Sequence, residues 1–75
     1  MSLDEIYRRE YGRVLASLIR RFGHFELAED AVQAAFEAAM VQWPAQGWPP
    51  NPTSWLIATA RHKVVDQLRH QQMRE

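Results

Sequence analysis

All four prolines of this 75-residue chain, Pro44, Pro49, Pro50 and Pro52, fall in one short window. Proline locks φ near −65° and removes a backbone donor, so such a window breaks regular structure. The run Pro44-Ala45-Gln46-Gly47-Trp48-Pro49-Pro50-Asn51-Pro52 predicts an irregular, fairly stiff loop over 44–52. Long elements must then lie in the proline-free stretches on either side.

Those stretches carry helical periodicity. Tyr7, Tyr11, Val14, Leu15, Leu18, Ile19 and Phe22 recur at three- and four-residue steps, which predicts a helix over about 3–22 closed by Gly23. Ala28, Val32, Ala35, Phe36, Ala39, Met40 and Trp43 form a second stripe, predicting a helix over about 26–43 that Pro44 ends. Glu26, Glu29 and Asp30 complement the positive end of that helix. A third helix is expected over about 53–71, with Leu56, Ile57, Ala60, Val64 and Leu68 facing inward. Asn51 before Pro52 resembles an N-cap with proline at the first helical position, although Thr53 or Ser54 would cap equally well. No strand-like alternation or internal repeat occurs. The expected fold is all-α: one domain over 1–75, a small bundle of three main helices with a proline-rich loop before the last.

Without cysteine, neither a disulfide nor a thiolate metal site is available. No apolar run approaches a membrane span, and the acidic start Met1-Ser2-Leu3-Asp4-Glu5 is unlike a signal peptide. A soluble cytoplasmic domain, with no membrane partner, is the expectation. His24, His62 and His70 lack metal-ligand spacing, and there is no glycine-rich phosphate loop or nucleophile with a base nearby. Neither catalysis nor a cofactor is expected.

The formal net charge of zero hides a segregated pattern. Residues 1–23 carry a surplus of +2, residues 24–43 carry −4, residues 44–55 carry none, and residues 56–75 carry +2. Such blocks suggest two different partners. Glu26, Glu29, Asp30, Gln33 and Glu37 fall on one stripe of the second helix, where arginines of a partner could pair with them; acids also simply solvate helix faces. Arg61, Lys63, Arg69 and Arg74 on the third helix suit phosphates, and Asp66 is placed to brace Arg69. Trp48, set among prolines with no evident core duty, is a candidate surface for an unpaired base, whereas Trp43 and Trp55 suit packing.

Two segments carry a family resemblance. Ala28-Glu29-Asp30-Ala31-Val32-Gln33-Ala34-Ala35-Phe36 resembles the AED-x-V-Q-x-x-F segment of extracytoplasmic-function sigma factors. Trp55-Leu56-Ile57-Ala58-Thr59-Ala60-Arg61-His62-Lys63-Val64-Val65-Asp66-Gln67-Leu68-Arg69 is similar to their W-L-x-x-x-A-R-N-x-x-x-D-x-L-R segment. The order and the intervening loop also match region 2 of that class. The resemblance implies a non-enzymatic module that docks on the β′ clamp helices of the RNA polymerase core and opens the promoter −10 element. Glu29, Asp30, Gln33 and Glu37 would then bind polymerase. Gln46, Trp48 and Asn51 in the loop, with Arg61, His62, Lys63 and Arg69 on the last helix, would bind DNA and hold a flipped base of the non-template strand. An anti-sigma factor is a further partner such a domain can have.

The chain departs from that pattern at His62, where asparagine is usual, and at His24, where aspartate often caps the second helix. It has no segment matching the domain of that class that reads the −35 element. Two rival readings stand beside it. A helix-turn-helix regulator would need a short turn before its recognition helix, and a protein–protein adaptor bundle would bind no single-stranded DNA.

Overall fold

The structure is a computed structural model that describes residues 2–73. Three helices follow in order: α1 (Leu3–Phe22), α2 (Phe25–Gln46) and α3 (Pro52–Met73). Each packs against the other two. No described helix is long and apolar enough to cross a membrane.

Local chemistry sets each boundary. Ser2 and Glu5 form a reciprocal cap at the start of α1: the Glu5 N–H donates to the Ser2 hydroxyl at 3.2 Å, and the Ser2 N–H donates to the Glu5 carboxylate at 3.4 Å. Gly23 ends α1 at φ 67°, a left-handed conformation that costs glycine little, and its N–H donates to the Ile19 carbonyl at 2.7 Å. Gly23 and His24 alone separate α1 from α2, and His24 serves as the cap: its Nδ1 accepts from the Leu27 N–H at 3.1 Å. Asn51 caps α3 in the same way, its Oδ1 accepting from the Ser54 N–H at 3.0 Å. Pro52 occupies the first helical position, where no N–H is needed.

The His24 cap gives a stability prediction. Aspartate accepts the same bond and adds a negative charge beside the positive helix end. His24→Asp should raise the unfolding free energy read from a urea titration by about 0.5–1 kcal/mol, and His24→Ala should lower it by about 1 kcal/mol. Three coincident unfolding curves would show that the imidazole does no capping.

The expected end of the second helix is corrected. α2 does not stop at Pro44 but runs through it to Gln46, where the Gly47 N–H donates to the Trp43 carbonyl at 2.8 Å. A proline in a helix chiefly withholds a hydrogen bond from the carbonyl four residues earlier, here that of Met40. Met40 and Pro44 both lie on the exposed side of α2, so water can serve that carbonyl. The irregular bend is therefore the shorter stretch 47–51, and α3 begins one residue before the expected 53.

The core is a layer of small and medium apolar side chains. Val14 and Leu18 of α1, Ala28, Val32, Ala35 and Ala39 of α2, and Leu56, Ala60 and Val64 of α3 are fully buried. Alanines at the centre of α2 let its neighbours approach closely. Three residues of the expected stripes fall outside the core: Met40 is 63% exposed, Leu68 39% and Tyr7 37%. Phe36, Ala39 and Trp43 already take the inward side of α2, and Met40 sits about 100° from Ala39 around the helix. Leu68 lines an open groove beside Leu27 and Asp30. A hydroxyl bond ties α3 to α1, with Thr53 donating to the Glu10 carboxylate at 2.8 Å.

Candidate functional site

Two surfaces collect the residues that spacing singled out. The first is the outward side of α2. Glu26, Asp30, Gln33 and Glu37 are exposed along it, Glu29 is half-buried, and Met40 and Val41 continue it as exposed apolar residues. Beneath Gln33 and Glu37 lies a groove of about 290 Å³ between α1 and α2, lined also by Leu3, Tyr7, Phe36 and Met40. Its floor is aromatic: Tyr7 meets Phe36 edge-on at 4.9 Å and Tyr11 at 5.0 Å between ring centroids. The Gln33 amide donates to the Tyr7 hydroxyl at 3.3 Å, so Gln33 is held in place rather than loose in solvent. Burial pushes the Tyr11 phenol above its ordinary value, and the Glu29 charge adds to this against a lowering contribution from Gln33. Asp30 leans the other way and lines the α2–α3 groove with His24 and Leu68. The acidic stripe thus borders two grooves.

The second surface comprises the bend 47–51 and α3. Three tryptophans meet at the bend. Trp43 is only 3% exposed, Trp48 lies over it at 4.9 Å between ring centroids, and Trp55 meets it edge-on at 5.3 Å. Trp48 therefore has a packing partner, contrary to the expectation of none, yet it stays 43% exposed. The indole Nε1 of Trp43 is buried and has no partner among the described residues. Gln46 belongs to the last turn of α2 rather than to the bend, for the reason given for Pro44. Asn51 is exposed, but its Oδ1 is committed to the α3 cap, which leaves its Nδ2 for other contacts.

On α3 the cationic set divides. Arg61, His62 and Arg69 line one groove of about 290 Å³ together with Val65 and Asp66. Lys63 is exposed but lies about 160° around the helix from Arg61 and is not part of that groove. Arg21, from the last turn of α1, joins it instead. Its charge was visible in the basic block of residues 1–23, but its position beside α3 follows only from the packing. The ion pairs among the described residues are Arg8–Asp4 at 2.9 Å and Arg13–Glu10 at 3.8 Å, so Asp66 does not brace Arg69. Exposed pairs at three-residue spacing gain little in water, and nothing else holds these two together. Arg74 lies outside the described residues.

The family model for Sigma-70 region 2 matches residues 6–74, nearly the whole chain. An uncharacterized protein of Rhizobium meliloti is 37% identical over 59 residues, covering 79% of this chain and 14% of that protein. The RNA polymerase sigma factor YlaC of Bacillus subtilis is 29% identical over 68 residues, covering 91% of this chain and 39% of that protein. The chain thus spans well under half the length of either relative. No solved structure matches at a significant level. Three helices carrying both motif segments, with a family match from Ile6 to Arg74, establish that this chain belongs to the Sigma-70 region 2 family, whose members are transcription-initiation factor domains.

Proposed function

We propose that this domain is region 2 of a cytoplasmic sigma factor of the extracytoplasmic-function class and that its two surfaces serve two partners. The outward side of α2 docks on the β′ clamp helices of the RNA polymerase core. The bend 47–51, with the start and the cationic side of α3, holds an unpaired base of the −10 element in the non-template strand.

One observation carries this reading. α2 buries Ala28, Val32, Ala35 and Ala39 completely, while Glu26, Asp30, Gln33 and Glu37 on its opposite side take no part in the core. A helix so divided has a polar side left over for a partner, and carboxylates there suit arginines through charge-assisted bonds. The exposed face of Trp48 offers a stacking platform, worth roughly 1–3 kcal/mol per base. A site that binds only the melted strand shifts the duplex toward opening by its differential affinity, without chemistry.

A pull-down with the isolated β′ clamp helices tests the docking half. Asp30→Ala and Gln33→Ala should each weaken capture about tenfold, the loss expected when a charge-assisted or well-positioned hydrogen bond is removed. Equal capture by both variants and the parent would remove the docking assignment. In parallel, an adaptor with no role on DNA would fail to bind a labelled single-stranded −10 oligonucleotide.

A further inference from the structure

We propose that Arg21 completes a phosphate-binding groove with Arg61 and Arg69, and that the groove takes a backbone phosphodiester of DNA. This deepens the DNA-binding reading above and rests on it. Arg21 comes from the last turn of α1, and Arg61 and Arg69 come from α3 two turns apart. All three line the same groove, and none belongs to an ion pair among the described residues.

Three guanidiniums face one carboxylate, Asp66, in that groove. Gathering like charges costs energy unless an anion joins them, and each guanidinium presents a planar fork matched to phosphate oxygens. Arg21 is also positioned rather than free: its Cζ sits 5.6 Å over the Phe22 ring. A helix C-terminus favours any cation, which accounts equally for Arg20 and Arg21. What distinguishes Arg21 from Arg20 is that it alone lines the groove.

The lining also decides between base and backbone. Its one ring is the His62 imidazole and its one aliphatic side chain is Val65, against three guanidiniums, so the groove suits phosphate oxygens better than a stacked base. From Pro52, where α3 leaves the tryptophan bend, to Arg61 the helix rises about 14 Å, which is about four nucleotide steps along one strand. One strand can therefore reach both places, its base at the bend and its backbone at the arginines.

The test is a fluorescence-anisotropy titration of the full chain with a forked −10 duplex and with a scrambled one, across a salt series. Parent, Arg21→Ala, Arg21→Gln and Arg20→Ala are compared after far-UV circular dichroism has shown equal helicity. Loss of one phosphate contact should lower the slope of log affinity against log salt by roughly 0.9 and weaken low-salt binding roughly three- to fivefold. Both Arg21 variants should show that loss to the same extent on the two duplexes, and Arg20→Ala should show less. Arg21 variants that match the parent, or that match Arg20→Ala, overturn the proposal. A loss confined to the −10 sequence overturns the backbone assignment. Failure of the parent to bind either duplex removes the DNA reading as a whole, and this inference with it.

Discussion

Leu56→Ala should lower the melting temperature by more than about 10 °C and leave a sizeable unfolded fraction at 37 °C. Leu56 is among the largest fully buried side chains, and it stands one turn into α3, a helix that packs against both others. Truncating a buried leucine costs roughly 2–5 kcal/mol, because the lost transfer energy is joined by a cavity the neighbours only partly fill. A 75-residue domain holds roughly 4–11 kcal/mol in total. Each kcal/mol moves the midpoint of so small a domain by about 4–8 °C. Leu68→Ala is the internal comparison. It removes the same atoms from the same helix at a site 39% exposed to water, and should cost about 1 kcal/mol or less. Thermal melts followed by circular dichroism decide it; similar losses from the two truncations would mean that α3 does not pack as described.

Trp43→Ala should be comparably damaging, at roughly 3–5 kcal/mol, and should also erase most of the near-ultraviolet circular dichroism. Trp43 is the buried member of the tryptophan trio, so its loss removes the surface beneath Trp48 and the edge contact of Trp55 together. Trp43→Phe is the sharper variant. It keeps an aromatic ring and eliminates the indole Nε1, a buried donor with no partner among the described residues, whose desolvation costs about 1–3 kcal/mol. The phenylalanine variant should therefore be much more stable than the alanine one. If the two are equally unstable, the indole N–H has a partner in solution and the bend is arranged differently.

The three helices were legible because their inward residues repeat at helical steps and because Gly23 and Asn51 stop and start helices by local chemistry alone. The end of α2 was not legible, since proline's cost depends on whether water can reach the carbonyl it deprives, and that depends on which side of the helix faces out. Met40 and Leu68 show a similar limit. Periodicity says that a residue belongs to an apolar stripe, but only the neighbouring helices decide how much of the stripe is covered. Of the candidate site, the polar side of α2 was readable from spacing. The pairing of Arg61 and Arg69 with Arg21, and the separation of Lys63 from them, arises from how α1 lies beside α3, and no local pattern encodes that.

The division of α2 into a buried alanine side and an outward polar side has an evolutionary consequence. The positions that hold the bundle together and the outward positions 30, 33 and 37 barely overlap, so under the docking reading proposed above substitutions there largely escape the selection that keeps the protein folded. A lineage could retune how strongly such a domain competes for its partner one outward residue at a time, while the inward alanines stayed frozen.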